Sequence, residues 1–237
     1  MADLDFSFKE TDASDLDFVT TRIINPPLAR QIETIISIPK MVGYTQLSKK
    51  FANREIKVQG LLKGTSPADL ITQIEAFSEF LFSEGDEQLI FNNQLTRYYN
   101  AQHIKTIELL REEYYAMLLL IFTCNDPLAY AISGDEVNKT GITDLGYKWN
   151  VGNLGQYYAY PTITITFNQN QTHIYIQNND IVGNRFDISK SFSSGDVLVI
   201  NSKLMTITLD TIHSPAGFGD GGDSKAEFIL LKVGDNE

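Results

Sequence analysis

The side chains that most often carry out chemistry in proteins are sparse and well separated in this 237-residue chain. Its three histidines are His103, His173 and His213, and no two of them have the spacing of metal ligands. The single cysteine, Cys124, has no partner for a disulfide, which fits folding in a reducing cytoplasm. It ends an apolar run, so we expect a buried, unreactive thiol. The sequence therefore predicts no metal and no cofactor.

The hydroxyl and carboxyl groups give no catalytic pattern either. Ser214 follows His213, but the glycines of a nucleophile elbow are missing around it. Asp220 and Asp223 lie in a glycine-rich segment, which favours a solvated turn because a calcium loop needs more oxygen ligands and a distal glutamate. Residues 112–113, both glutamate, are typical of a hairpin turn rather than of a general acid/base pair. We predict that the protein is not an enzyme.

Aromatic side chains cluster at Trp149, Tyr157, Tyr158 and Tyr160. Aromatic rings at the edge of a β-sandwich stack on the apolar faces of sugars, so Trp149, Tyr157 and Tyr158 are candidate glycan contacts. Alternatively, the rings fill the interface between two domains. We favour this second explanation because the cluster directly follows a predicted linker.

One helix is clearly marked. Ser66 is a good N-cap, Pro67 suits the first helical position and Asp69 complements the helix dipole. Gly85 is expected to stop the helix, which gives it a span of roughly residues 67–83. One apolar stripe faces the core; its members are Leu70, Ile71, Ile74, Phe77 and Leu81.

Strand patterns surround this helix and dominate the rest of the chain. Residues 31–38 alternate, as expected of a half-buried strand, whereas residues 117–122 are apolar on both faces. The latter pattern predicts a central strand covered on both sides, or covered on one side by a neighbouring subunit. Short alternating segments with polar turns predict an antiparallel sandwich in the second part; they are residues 161–167, 173–177, 187–189, 197–200, 204–209 and 228–231. We predict domains at 1–132 and 151–237, with a linker or exposed loop at 133–150.

Composition limits the possible functions. The chain is 43% hydrophobic and 11% aromatic, which is enough for a real core, and its formal net charge is −11. No basic patch stands out, so specific binding to duplex DNA is not expected. Acidity suits a passage through which DNA slides without sticking, although it also simply keeps a protein soluble. No secretion signal is visible and the longest apolar run is too short for a bilayer, so we expect no membrane partner.

The order of elements in residues 54–127 resembles the N-terminal domain of the distal tail (Dit) proteins of long-tailed, siphovirus-type bacteriophages. It runs strand, capped helix, strand, tyrosine-rich hairpin and strand, and it ends in Cys124-Asn-Asp-Pro127. The residues that carry this likeness are interpreted as fold determinants; they are Arg54, Gly60, Tyr98, Tyr99, Asp126 and Pro127.

The second part resembles the galectin-like C-terminal domain of the same family. The likeness rests on four short motifs in the same order; they are Asn153-Leu-Gly155, Ala159-Tyr160-Pro161, Ser194-Gly195-Asp196-Val197 and residues 232–236. The fold implied is mainly β with one helix, consisting of an α+β ring domain followed by a galectin-like antiparallel β-sandwich. Residues 133–150 and 217–223 match neither domain.

The resemblance implies a structural virion protein that forms a homo-hexameric ring at the tail tip or baseplate. Such a ring joins the tail tube protein to hub, tip, fibre or receptor-binding proteins and continues the DNA conduit. It would be located in the virion tail after assembly in the cytoplasm of the bacterial host. An infectious phage, a prophage and a tail-like particle all remain possible sources, and a carbohydrate-binding module in host-surface recognition is the alternative function.

The ring or partner contacts are expected in loops 92–105 and 40–52 and on the apolar strand at 115–122. The candidate contact residues are Tyr44, Arg97, Tyr98, Tyr99, Tyr115 and Leu119.

Overall fold

The computed structural model describes residues 4–36, 45–134, 136–142, 147–210, 212–213 and 227–236. The chain divides into two compact units, Met1–Asp135 and Glu136–Glu237, called here the N-terminal and C-terminal units. The finer boundaries given above, with a linker at 133–150, stay a prediction. Within the described ranges, no helix is long and apolar enough to cross a bilayer.

The N-terminal unit is an antiparallel sheet with one helix, α1 (Pro67–Leu81). Its strands are β1 (Phe6–Phe8), β2 (Thr11–Asp12), β3 (Phe18–Ile24), β4 (Gln31–Ile36), β5 (Thr45–Phe51), β6 (Arg54–Lys63), β7 (Glu87–Phe91), β8 (Arg97–Arg111), β9 (Tyr115–Cys124) and β10 (Tyr130–Ala131). The main sheet runs β2-β1-β7-β8-β9-β6-β3, and β10 pairs with β8. Strands β4 and β5 pair only with each other in a two-stranded ribbon.

The helix begins at the position that its N-cap and first-turn residues predict. The Ser66 hydroxyl accepts a hydrogen bond from the Asp69 N–H at 3.1 Å, as expected of an N-cap. The Asp69 carboxylate accepts bonds from the N–H and hydroxyl of Thr65, and these bonds hold the pKa of Asp69 below its ordinary value. The helix ends at Leu81, with Phe82 in extended backbone, so it stops before Gly85 is reached.

Aromatic rings fill the space between the helix and the sheet. Phe77 of α1 stacks on Phe18 of β3 with ring centroids 4.7 Å apart, and Phe6 and Phe122 meet edge to face at 5.8 Å. Strand β9 is central, between β8 and β6, and its side chains alternate between buried and half-exposed. One face of its apolar pattern therefore builds the core, while the other remains partly accessible.

The C-terminal unit is built from short antiparallel strands. They are β11 (Val151–Asn153), β12 (Thr162–Thr166), β13 (Gln171–Gln177), β14 (Arg185–Phe192), β15 (Val197–Asn201), β16 (Thr206–Leu209), β17 (Ile212–His213) and β18 (Gly234–Asn236). The sheets are β12-β15-β16-β17, β13-β14 and β11-β18. The first two sheets share one core, in which Phe167 and Phe192 stack with centroids 4.5 Å apart.

The strand predicted at residues 228–231 does not form a regular ladder. Leu231 makes a single bridge to Ala159, and side chains bond to several of the other backbone groups. Asn184 donates to the Phe228 carbonyl at 2.9 Å and accepts from the Leu230 N–H at 2.8 Å, while Asn178 donates to the Leu230 carbonyl at 2.6 Å. Buried asparagine side chains thus supply the hydrogen bonds that a neighbouring strand would otherwise provide.

Candidate assembly surfaces

The predicted contact residues at the start of β8 occupy three different environments. Arg97 is exposed, Tyr98 is half-buried and Tyr99 is buried. Tyr98 stacks on Tyr130 with ring centroids 5.6 Å apart. Arg97 and one edge of Tyr98 are therefore available to a partner. Tyr44, the candidate contact in the predicted loop 40–52, lies outside the described residues.

Tyr99 belongs to a buried network around Arg54. The Arg54 guanidinium lies 5.2 Å from the centre of the Tyr99 ring and donates to the Asn25 side chain at 3.1 Å and to the Pro26 carbonyl at 3.0 Å. Asn25 in turn donates to the Tyr99 hydroxyl at 3.0 Å. The network fixes the segment where the chain leaves β3 for the β4–β5 ribbon, which agrees with the interpretation of Arg54 and Tyr99 as fold determinants.

Asp126 and Pro127 turn the chain back after β9. The Asp126 carboxylate accepts a bond from the Leu128 N–H at 3.2 Å and another from the Tyr130 hydroxyl. The first of these bonds forms an Asx turn, as the sequence predicts for Asp126, and β10 then pairs with the start of β8.

Tyr115 and Leu119 lie on the face of the main sheet that is turned away from the helix. Cross-strand pairing aligns Leu119 with Ile107 on one side and with Gln59 on the other. A second row of paired residues continues the same apolar surface across β8, β9, β6 and β3; it consists of Leu110, Met117, Leu61 and Val19. We call this surface the outer face, and its apolar members are Val19, Leu61, Ile107, Leu110, Met117 and Leu119. All are half-exposed or exposed, so the sheet presents a contiguous apolar patch.

A shallow cavity of about 280 Å³ adjoins the outer face at Tyr115. It is lined by Leu61, Lys63, Gly64, Tyr114 and Tyr115. Its walls are mostly apolar carbon, and Lys63 supplies the one charged side chain, so it suits an inserted apolar side chain better than a charged ligand.

The aromatic cluster of the C-terminal unit presents its rings to solvent. Tyr157, Tyr158 and Tyr160 are 38%, 59% and 50% exposed. Trp149 is half-buried and packs against Tyr147 with ring centroids 6.0 Å apart. The Asn153 side chain holds the loop by donating to the Tyr157 carbonyl at 2.8 Å and accepting from the Gly155 N–H at 3.0 Å.

The titratable groups of the described ranges do not form a reactive centre. Burial raises the pKa of the Cys124 thiol to about 12, which keeps it protonated, and lowers the pKa of His103. His173 pairs with Asp187 at 2.7 Å on an exposed strand surface. Among the residues that the structure covers, no group of three or more His, Cys, Asp or Glu side chains could hold a metal ion. Ser214, Asp220 and Asp223 lie outside those residues.

The sequence indicates a contact surface at 40–52 but not the strand within it. Residues 45–51 of this predicted loop form β5 and pair along β4. The alternation of Ile32, Thr34 and Ile36 indicated the strand β4 but predicted that one face of it is buried, whereas every residue of β4 is exposed. The partner strand lacks a comparable apolar pattern, so the pairing was not visible.

Two family models match the chain. Residues 4–124 match the family described as "Phage tail protein RIFT-related domain", and residues 154–237 match "Siphovirus-type tail component, C-terminal domain". The chain belongs to the distal tail protein family of siphovirus-type phages. This confirms the family that the sequence motifs indicated.

Individual relatives agree with this membership. The distal tail protein of Bacillus phage SPP1 is 28% identical to this chain over 160 residues, a stretch that covers 66% of the chain and 61% of that relative. The match therefore spans less than two thirds of the relative's length. A structural role in the phage tail follows from the family, and the relatives are tail proteins rather than enzymes.

Solved structures show the same fold. The crystal structure of SPP1 Dit superposes with a TM-score of 0.75 at 18% identity, over 99% of this chain and 93% of that chain. A chain of the phage P2 baseplate in its activated conformation with calcium superposes with a TM-score of 0.51 at 8% identity, over 99% and 93% of the two chains. The predicted mainly β fold with one helix is thereby confirmed.

Proposed function

We propose that this distal tail protein assembles into a closed homo-hexameric ring at the tail tip or baseplate. The ring joins the tail tube to hub, tip, fibre or receptor-binding proteins and continues the conduit for DNA. The observation that carries this proposal is the apolar outer face of the main sheet. A soluble protein that leaves such a patch half-exposed generally covers it in an assembly.

The outer face has the position that a ring contact requires. It lies on the face of the main sheet opposite the helix, so a neighbour can cover it without disturbing the aromatic core. A ring needs heterologous contacts, in which two different surfaces of each copy meet and the rotation closes. Tyr115 and Leu119 are proposed as contacts on this face, and Arg97 and Tyr98 as contacts at the start of β8.

The remaining parts of the proposal concern partners and chemistry. A net charge of −11 disfavours tight phosphate binding, so DNA passes through the ring without being held. The C-terminal unit is proposed to dock tip, fibre or receptor-binding proteins, and assembly is proposed to occur in the bacterial cytoplasm. We infer no catalytic role, since a buried neutral thiol and an exposed His173–Asp187 pair supply no activated nucleophile.

Assembly can be tested by light scattering over a range of concentrations, with negative-stain images of the same fractions. The wild-type chain should give closed six-fold rings. Leu119→Glu places a charge in the outer face and should abolish them while leaving the melting curve of the subunit nearly unchanged. Ile71→Glu is the matched control. Ile71 was predicted to face the core, but it is 56% exposed on α1, away from the outer face.

One result would contradict the ring proposal, and another would contradict only the contact through the outer face. One is a wild-type chain that stays monomeric even when the tail tube or hub protein is added. The other is a Leu119→Glu variant that still forms rings, which would remove the outer face from the contact.

Glycan binding is a second candidate, favoured by the exposed rings of Tyr157, Tyr158 and Tyr160. If this surface binds sugars, a screen of host cell-wall glycans should show affinity that Tyr158→Ala and Trp149→Ala reduce. The absence of binding to every glycan in such a screen would rule it out.

A further inference from the structure

The β4–β5 ribbon is exposed along most of its length. Every side chain of Gln31–Ile36 is exposed, and so are residues 46–50 on β5. Four of these side chains are large and apolar, namely Ile32, Ile35, Ile36 and Leu47. An isolated two-stranded ribbon is only marginally stable in water, because it lacks a second layer to cover its apolar side chains. The ribbon therefore has the composition of an element that packs on another molecule.

The two faces of the ribbon carry different charges. Ile32 pairs with Lys50 and Glu33 pairs with Lys49, and the ladder continues through a bond from the Ala52 N–H to the Arg30 carbonyl. Side chains alternate across a strand, so Arg30, Ile32 and Lys50 share one face. We call it the basic face, because its two charged residues, Arg30 and Lys50, are both cationic. Glu33 and Lys49 lie on the opposite face and form an ion pair at 3.7 Å.

An acidic turn precedes β3. Residues 10–17 contain four carboxylates and no lysine or arginine; the carboxylates belong to Glu10, Asp12, Asp15 and Asp17. All four side chains are exposed. Between described residues, no ion pair neutralises any of them. The turn and the basic face thus have opposite charge. The segment that contains the ribbon, residues 21–53, is basic as a whole, with five basic side chains and one acidic side chain.

The acidic turn and the ribbon lie at opposite ends of β3. Asp17 directly precedes this strand, and the segment after Ile24 leads into the ribbon. Seven extended residues span roughly 20 Å, so a single copy presents the two charged surfaces at separate places. Two complementary surfaces at opposite ends of a subunit are what a head-to-tail contact between identical copies needs.

We propose that the basic face of the ribbon of one copy docks on the acidic turn, residues 10–17, of the next copy. Arg30 and Lys50 pair with the carboxylates of the turn, and Ile32 is covered in the contact. This inference rests on the proposed ring, and it adds the charge pairing that sets which end of one subunit meets which end of the next.

Charge reversal of the full-length protein tests this contact. Variant A carries Arg30→Glu and Lys50→Glu. Variant B carries Glu10→Lys, Asp12→Lys and Asp15→Lys, which leaves Asp17 as the one acidic residue of the turn and makes the net charge of the turn positive. Each alone should raise the concentration for half-assembly by about tenfold or more, since like charges then face each other. In a 1:1 mixture that alternates around the ring, every contact joins opposite charges, so the mixture should assemble again. Native mass spectrometry should show three copies of each variant per hexamer.

A control substitution and a disulfide cross-link test whether the effect is specific to the proposed contact. Lys49→Glu, on the opposite face of the ribbon, is the control for Lys50→Glu and should leave the half-assembly concentration nearly unchanged. Copies with Ser48→Cys should form an intermolecular disulfide with copies carrying Ser14→Cys. Ser48 lies on the basic face and Ser14 in the turn, and the native Cys124 is buried and does not compete.

The possible failures are distinguishable. If wild-type rings form but variants A and B assemble equally well, this contact is wrong while the ring proposal stands. If A and B each fail to assemble and their mixture stays dissociated, with no cross-link, the ribbon meets something other than the turn, such as a tail partner or DNA, and the proposal is overturned. If the wild-type chain never associates, even with the tail tube or hub protein added, and the cysteine variants do not cross-link, the ring proposal fails as well.

Discussion

Gly60 of β6 lies directly against the ring of Phe18 on β3. A Cβ atom at position 60 would come within 2.4 Å of the Phe18 ring and 2.7 Å of the Val19 carbonyl oxygen. Because Phe18 is also stacked on Phe77 of the helix, the ring cannot withdraw without disturbing the core. This close approach gives a physical reason for glycine among the residues that carry the family likeness.

We therefore expect Gly60→Ala to destabilise the N-terminal unit by about 2–3 kcal/mol, the usual cost of overpacking a filled core. Urea unfolding followed by fluorescence measures this difference. Gly85→Ala is the control, since a Cβ there meets nothing within 4 Å, and its effect should be within about 0.5 kcal/mol. Equal stabilities for the two variants would contradict the packing argument.

Removal of the N-cap should weaken α1. Ser66→Ala loses the bond to the Asp69 N–H, and we expect a cost of about 1 kcal/mol in the free energy of unfolding. Ser78→Ala is the comparison inside the same helix, because its hydroxyl only bonds back to the Ile74 carbonyl. A Ser66→Ala variant as stable as Ser78→Ala would show that Thr65 and Asp69 alone fix the helix start.

The Asp69 carboxylate should make helix stability depend on pH in the acidic range. Bonds from Thr65 lower the pKa of Asp69 below its ordinary value of 3.8. The resulting stabilisation is present above that value and is lost as pH falls through the folded-state pKa. Melting temperatures of wild type and Asp69→Asn should therefore differ near neutral pH and converge in strong acid. A difference that stays constant down to pH 2 would argue against this role.

Cys124 should resist thiol reagents in the folded protein. Burial raises the pKa of its thiol to about 12, so almost no thiolate is present at pH 8. Labelling with a disulfide-exchange reagent should proceed only as fast as the chain unfolds. An introduced Ser48→Cys thiol on the exposed ribbon should react at once in the same chain. Rapid labelling of Cys124 would mean that the end of β9 opens locally.

Asn184 should be essential for the order of residues 228–231. Asn184→Ala leaves the Phe228 carbonyl and the Leu230 N–H without their partner, and we expect a loss of about 2–4 kcal/mol in the C-terminal unit. Denaturant unfolding and limited proteolysis near residue 228 measure this change. Asn179→Ala, at an exposed turn position, is the control and should have little effect.

Local patterns determined much of the N-terminal unit. The helix could be predicted to within two residues of its observed end, because its cap, first-turn carboxylate and apolar stripe all act within the segment itself. The central position of β9 was also visible, since its apolar residues occupy both faces of the strand. The family motifs indicated the fold and the place in the phage tail.

The candidate contacts were less well determined. Tyr98 and Tyr99 are neighbours in sequence, yet one stacks at the surface and the other is buried beneath Arg54. A strand directs successive side chains to opposite faces, and only the pairing of β8 with its neighbours decides which face is the core. The sequence marked both tyrosines as notable but could not separate a contact from a fold determinant.

What the sequence by itself determined about this protein is thus the identity of its elements and its family, because capping, periodicity and motif order are properties of nearby residues. The tertiary structure alone decided which polar and apolar groups remain accessible. Asn184 meets residues 228–230, β5 pairs with β4 to form an exposed ribbon, and six apolar side chains from four strands join into one outer face. Each of these features depends on contacts between segments far apart in the chain. Bringing such segments together costs conformational entropy, which only the packing of the whole fold offsets.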